Sequence, residues 1–314
     1  MGEEITWDLK AYTLGIAPYQ QPVLIYNPAA GKLRRHPRTL QRTTDALERA
    51  RLRPRLVPTS GPGDATGMSG RAIAEGADLI LVLGGDGTIN EAVNGMVGSK
   101  VPLGILPAGT ANVLAMELGI GSHLGRAVER LTGSVERRVA LGKMCDGQGW
   151  SRYFLAMGGV GLDAQIVYDI NPALKARTGK FAYWATGLAH IAQRVGQFDA
   201  KVNGDIYRCG FALISRVRNY GGDLEIATGA SLRHDDFEIV LFEGSNPLRY
   251  AGYMLGVAAK RVQGMPGVHT LHDRRIELTG DVHRQIDGEY VGRGPASFEI
   301  VPAALTLLMP AAYE

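Results

Sequence analysis

The chain of 314 residues has little cysteine, no long apolar run, little net charge, and neither internal repeats nor a low-complexity linker. Its two cysteines, Cys145 and Cys209, lie far apart with no Cys or His at metal spacing. That excludes a disulfide framework and a zinc site, and predicts buried thiols in a reducing compartment. No apolar stretch approaches the ~20 residues that span a bilayer, and the opening MGEEITWDLK is unlike a secretory leader. A cytoplasmic location is therefore expected. A net charge of +3 is too small to argue for nucleic acid as a partner. What is present is a globular composition, 45% hydrophobic and 21% charged, in a chain long enough for two domains of ordinary size.

The run from Asp78 to Gly95, DLILVLGGDGTINEAVNG, carries the most information. Leu79 to Leu83 form a continuous apolar segment suited to a buried parallel strand. Gly84, Gly85 and Gly87 let the backbone turn sharply and approach a ligand. Thr88, with Glu91 three residues on, predicts a capping box at the start of the next helix. Free N–H groups and the positive helix end would then face an anion such as phosphate. Asp86 adds a carboxylate to that loop, able to hold a metal or accept a proton.

Strands are expected over Val23–Tyr26, Arg55–Pro58, Leu79–Leu83 and Leu103–Leu106, and helices over Thr39–Arg53, Ala65–Glu75, Thr88–Val97 and Thr110–Leu118. This alternation predicts an α/β fold with a doubly wound parallel sheet. Ligands of such sheets bind beyond the carboxyl ends of the strands. There lie the loops at Asn27–Lys32, Thr59–Asp64, Gly84–Gly87 and Pro107–Asn112, which together suit a nucleotide cleft. Beyond Gly133 the pattern turns to β, at Arg137–Met144, Tyr153–Met157, Arg208–Ser215, Phe237–Phe242, Arg275–Thr279, Arg284–Ile286 and Ser297–Val301. Helices are expected at Gly179–Val195 and Asn246–Val262. The expected division is a nucleotide-binding α/β domain over 20–134, a β-sandwich-like domain over 135–303 carrying the acceptor site, and a segment 304–314 that either finishes the sandwich or returns to the first domain.

Taken in order, Asn27-Pro28-x-x-Gly31-Lys32, Gly84-Gly85-Asp86-Gly87-Thr88-Ile89-Asn90-Glu91 and Gly109-Thr110-Ala111-Asn112 resemble the diacylglycerol kinase catalytic-domain family, which includes bacterial lipid kinases and the sphingosine and ceramide kinases. Gly158-Gly159-Val160-Gly161-Leu162-Asp163-Ala164, Lys180-Phe181-Ala182-Tyr183, Ala230-Ser231-Leu232 and Asp287-Gly288-Glu289 extend the resemblance over nearly the whole chain. A lone Gly-Gly-Asp-Gly also occurs in NAD kinases and phosphofructokinases, so the ordered combination carries the resemblance.

The resemblance implies an ATP-dependent phosphotransferase acting on a lipid hydroxyl, diacylglycerol or a related long-chain lipid. Alternatives are a sphingoid-base or polyol kinase, or a nucleotide- or lipid-binding regulator without catalysis. It implies a nucleotide site built from Asn27, Pro28, Ala29, Ala30, Gly31 and Lys32, with Thr59, Gly84, Gly85, Asp86, Gly87, Thr88, Ile89, Asn90 and Thr110. It also implies a late acidic motif in which Glu289 accepts the proton, with Asp86 and Asp287 beside it. On an extended strand, positions 287 and 289 would share a face. Asp287-Gly288 alone reads more often as a hairpin turn, and its match to the family's order is what lifts it.

Mg²⁺ is expected with ATP. The family's accessory Mg²⁺ site is a separate matter. Val113 replaces its first Asp, and Asp235 could serve as a second ligand only by shifting register past His234. Without a membrane span the enzyme would meet its lipid peripherally, and the basic cluster Arg34, Arg35 and Arg38 is the expected electrostatic contact. A homodimer is left open.

Overall fold

The structure is a computed structural model, and it describes residues 19–169, 195–221 and 224–313. Its first half runs β1 (Pro22–Tyr26), α1 (Gly31–Arg35), α2 (Thr39–Arg49), β2 (Arg55–Pro58), α3 (Asp64–Ala74), β3 (Leu79–Gly84), α4 (Asp86–Met96), β4 (Pro102–Pro107), α5 (Val113–Glu117) and α6 (Leu124–Thr132). The second half runs β5 (Ser134–Cys145), β6 (Ser151–Phe154), β7 (Met157–Gly161), α7 (Leu162–Asp169), β8 (Phe198–Val202), β9 (Asp205–Ser215), β10 (Asn219–Tyr220), β11 (Leu224–Glu225), β12 (Phe237–Glu243), α8 (Pro247–Ala258), β13 (Val268–Asp273), β14 (Arg275–Thr279), β15 (His283–Ile286), β16 (Glu289–Arg293) and β17 (Ala296–Pro310). The helix expected over Gly179–Val195, with Lys180, Phe181 and Tyr183, falls outside the described residues except for Val195.

The parallel strands lie in the order β2-β1-β3-β4. Every residue of β3 and β4 is buried, as their unbroken apolar runs require, whereas edge strand β2 is largely exposed. Helix α3 packs on α4, and α2 on α6, so both faces of the sheet are covered. Strand order reverses between β1 and β3, and an open α/β sheet offers its ligand crevice at such a switch point.

One ribbon ties the halves together. Strand β17 pairs antiparallel with β14 through its first residues and parallel with β4 through Thr306 and Leu307, while β5 follows it from Ser297 to Pro310. Its final apolar stretch, Ala304 to Met309, thus runs beside β4 of the parallel sheet. A break in register between Val301 and Leu305, with Ala303 at φ 47°, marks where the ribbon leaves the sandwich. The sandwich has its own core, where Phe154 stacks on Phe237 and meets Phe298 edge-on.

Several boundaries differ from expectation for local reasons. Helix α2 stops at Arg49 rather than Arg53, because Arg51 turns left-handed at φ 61° and the Leu52 N–H returns to the Leu47 carbonyl. Helix α5 begins at Val113 rather than Thr110. Asn112 is left-handed, and its side chain bonds both the N–H and the carbonyl of Gly109. The single strand expected over Tyr153–Met157 breaks into β6 and β7. Cys209 is buried, whereas Cys145 is only half-buried.

Candidate functional site

The expected loops meet beyond the carboxyl ends of β1, β3 and β4. Asn27 follows β1: its Oδ1 accepts the Ala29 N–H at 2.8 Å, closing an Asx turn, and its Nδ2 reaches Thr88 Oγ1 at 3.3 Å. The loop after β3 presses on the loop after β4 glycine to glycine, since a β-carbon on Gly85 would stand 3.3 Å from Gly109 Cα. A side chain at Gly85 would wedge these loops apart. Gly84 is required for another reason, because a β-carbon there would lie 2.7 Å from Thr88 Cβ. Lys32 serves the scaffold: its ammonium donates to the Pro107 carbonyl at 3.0 Å and to that of Ser122, and burial lowers its pKa. Thr59 is buried at the end of β2, where its N–H bonds the Tyr26 carbonyl at 2.9 Å.

The expected capping box is absent. Helix α4 starts at Asp86 with Gly85 as its cap, so Thr88 already lies within the helix. Glu91 instead accepts the Ala65 N–H at 3.2 Å in the first turn of α3. The Asp86 carboxylate faces the first turn of α5 and takes the Leu114 N–H at 3.4 Å. Desolvation raises its pKa. Ile89 points into the core, so only its backbone can serve a ligand. Asn90 turns toward the second half, donating to the Tyr153 carbonyl at 3.0 Å and to Asp287 Oδ2 at 2.8 Å.

Asp287-Gly288 forms the turn of the β15–β16 hairpin, with φ of 48° and 80° at the two residues. The extended geometry that would put the carboxylates of 287 and 289 on one face therefore does not occur. Asp287 turns inward and accepts the N–H groups of Leu155, Ala156 and Met157 at 2.8 to 3.3 Å, filling the break between β6 and β7. Burial pushes its carboxyl up to about 6. Glu289, half-exposed, reaches the glycine loop, where its Oε1 occupies the space a β-carbon on Gly87 would need. Its Oε2 pairs with Arg152 at 2.6 Å, and Arg152 Nε also holds Asn90 Oδ1 at 2.9 Å. Arg152 is a site residue that sequence reasoning missed, because β6 carries no motif.

These groups line one end of a cavity of about 490 Å³. Asp86, Gly87, Thr110, Asp287 and Glu289 form its polar end, while Ile166, Phe211, Ile226, Phe242, Met254 and Val257 are among its apolar walls. One polar pair interrupts the apolar part. Asp163, in the first turn of α7 just after the glycine-rich β7, is buried and accepts from Gln285 Nε2 at 2.7 Å and from the Tyr220 hydroxyl. Desolvation raises its pKa as well. A second, more open cavity lies on the other side of Glu289, between Gly63 and Thr66 of the α3 start and Trp150 and Arg152.

The residues present do not fit an accessory Mg²⁺ site, which needs several oxygen ligands. Among the described residues no group of three or more His, Cys, Asp or Glu could hold a metal. Asp235 is half-exposed beside Arg274 at 3.7 Å. The loop is held by Arg216, which is completely buried. Its guanidinium donates to the carbonyls of Asp236 at 2.9 Å, Ala140 at 3.2 Å, Leu232 at 3.3 Å, and His234.

Residues 21–144 match the diacylglycerol kinase catalytic domain, and residues 157–309 match the YegS C-terminal NAD kinase beta sandwich-like domain. A diacylglycerol kinase of Staphylococcus saprophyticus is 29% identical over 286 residues, covering 88% of this chain and 90% of that protein. One of Bacillus subtilis is 26% identical over 297 residues, covering 91% and 95%. The crystal structure of a diacylglycerol kinase from Bacillus anthracis shares the fold, with a TM-score of 0.76 at 21% identity over 95% of this chain and 100% of that one. The chain thus carries a diacylglycerol kinase catalytic domain followed by a YegS C-terminal NAD kinase beta sandwich-like domain, the order in which its parallel sheet and antiparallel sandwich occur.

Proposed function

We propose that this protein transfers the γ-phosphate of MgATP to the hydroxyl of diacylglycerol or a related long-chain lipid. The observation that carries this reading is the cavity that runs from the Asp86-Gly87 loop into apolar walls, with Glu289 at its polar end. Such a space suits an acceptor with a hydroxyl at one end and hydrocarbon at the other. The nucleotide would lie over the loops at Asn27–Lys32, Thr59, Gly84–Asn90 and Thr110, its phosphates met by backbone N–H groups at the start of α4. Bound with the nucleotide near Asp86, Mg²⁺ would spread the negative charge of the transferring group.

Glu289 accepts the proton of the acceptor hydroxyl as its oxygen bonds the γ-phosphorus and the bond to the β–γ bridging oxygen breaks, leaving ADP. A positioned base is typically worth ~10² to 10⁴-fold. Arg152 is a positioning residue: its ion pair holds Glu289 against Gly87. Asp86 lines the same cavity and supports the phosphate end, while its bond to Leu114 ties the glycine loop to α5. The family members named diacylglycerol kinase support the substrate class.

The test is a vesicle assay with radiolabelled ATP and a panel of acceptors. Label should enter the organic phase with diacylglycerol. Label transferred only to a soluble polyol, or to no acceptor, would contradict the proposal.

A further inference from the structure

Helix α8 is apolar on both sides. Its inner face supplies Tyr250, Tyr253, Met254 and Val257 to the cavity wall, and the Tyr250 hydroxyl anchors it by donating to the Phe242 carbonyl at 2.9 Å. Its outer face carries Leu248, 82% exposed, and Leu255, 72% exposed, with Ala251, Gly252, Ala258 and Ala259 between and beyond them. No acidic residue occurs from Gly244 to His272, and basic residues stand at both ends, Arg249 at one and Lys260 and Arg261 at the other, all exposed. A helix on a water-facing surface ordinarily carries charged side chains on its outer face, and one that is apolar all round is buried or lies in lipid. The two leucines are seven residues apart, about 10 Å along the axis, on the same side.

Resting on the lipid-kinase reading above, we infer that the outer face of α8 is the membrane-docking surface: Leu248 and Leu255 enter the acyl boundary of an anionic leaflet, with Arg249, Lys260 and Arg261 at the headgroups. Charge complementarity and the cavity behind the same helix argue for lipid as the occupant. The helix wall separates bilayer from cavity, so an acceptor leaving the leaflet beside α8 would enter the apolar end first and meet Glu289 with its headgroup. An interfacial helix is recognised by this combination of apolar face and basic flanks. Glu225 beside the end of α8 is paired with Lys260 at 3.4 Å, so the attraction to anionic lipid falls chiefly on Arg249 and Arg261. The basic cluster Arg34, Arg35 and Arg38 is also exposed, on α1 and the turn after it, but the one large apolar side chain of α1, Leu33, is buried.

Flotation of the full chain on phosphatidylcholine vesicles containing phosphatidylglycerol tests this without nucleotide or turnover. The wild type should float. Leu248→Glu/Leu255→Glu should bind at least about tenfold more weakly, since each leucine forfeits its buried area. The same variant should keep its melting temperature and its turnover of a short-chain diacylglycerol presented as monomers. Leu255→Trp provides a second readout, with its added emission shifting to the blue when vesicles are added. Undiminished flotation of the double glutamate variant, a wild type that does not float, or a variant that changes only the oligomeric state would overturn the proposal. Loss of flotation by Arg34→Glu/Arg35→Glu/Arg38→Glu with no effect of the leucine changes would overturn it in favour of α1. If no lipid is phosphorylated by the wild type, the lipid-kinase reading fails, and that result is separate from the flotation outcome.

Discussion

Asn90 and Asp287, 197 residues apart in the chain, share a hydrogen bond of 2.8 Å. The bond links the helix that follows the glycine loop to the hairpin that carries Glu289. Asn90 also donates to the Tyr153 carbonyl and accepts from Arg152, so one side chain holds the β6 edge, the hairpin turn and the ion pair in register.

Asn90→Ala should therefore cost stability and activity together. Loss of partners for a buried carboxylate and a backbone carbonyl is worth about 1 to 3 kcal/mol. Thermal melting reads the first effect, and kcat with its fall beyond the change in nucleotide affinity reads the second. A variant with unchanged melting and turnover would mean the contact does not order the site.

Asp287 gives a pH signature. Its folded pKa of about 6 lies above the ordinary 3.8, so the native state holds this proton more tightly than the unfolded state does. Stability attributable to Asp287 is then greatest below the unfolded value and is lost as pH rises toward and through about 6. Asp287→Asn lacks this dependence. The stability difference between wild type and variant should shift against the wild type by about 3 kcal/mol between pH 3.5 and 7, from roughly 1.4 kcal/mol per pH unit. Asp163, also raised by desolvation, slopes the same way in both proteins, while Asp86 repels the Asp287 carboxylate and so belongs to the same pH signature. Parallel pH profiles of denaturant midpoint would contradict the assignment.

Gly87→Ala places a methyl group where Glu289 Oε1 now stands. The obstacle is the end of a flexible side chain, so the fold should survive while the carboxylate is displaced. Turnover should fall about 10-fold or more, consistent with misplacement of a catalytic group by about 1 Å. The melting temperature should change little. Wild-type turnover in a folded Gly87→Ala protein would place the reacting groups elsewhere.

Arg216 holds the Leu232–Asp236 loop with a fixed cation. Burial lowers its pKa to about 10, which still leaves it charged at neutral pH. Melting should be indifferent to EDTA in the absence of nucleotide. Arg216→Met should destabilise by about 3 kcal/mol or more, because four carbonyls lose their donor. A wild-type melting temperature that falls with EDTA would reveal a metal in this loop.

The parallel half was legible because its signals are local. The runs at Leu79–Leu83 and Leu103–Leu106 can only be buried strands, and the glycines after them announce close backbone approach. The loops of the candidate site were legible for the same reason. What failed depended on distant partners. Thr88 and Glu91 have the spacing of a capping box, yet Asn27 engages one and the start of α3 the other. Asp287 and Glu289 have strand spacing, but Asp-Gly also suits a left-handed turn, and the Leu155–Met157 N–H groups reward that turn. Arg152 and Arg216 stood in β segments with nothing to distinguish them, since their roles exist only through residues far off in the chain. The outward leucines of α8 matched the helix expected there, but periodicity does not tell which side of a uniformly apolar helix faces out.

The most direct test of the proposed chemistry is turnover of Glu289→Gln on diacylglycerol vesicles, measured beside its MgATP affinity by calorimetry. Glutamine keeps the shape but is a poor base, so kcat should drop by ~10² to 10⁴-fold while the nucleotide Kd stays within a few-fold of wild type. Turnover near the wild-type level in a folded Glu289→Gln protein would contradict the role of Glu289 as the proton acceptor.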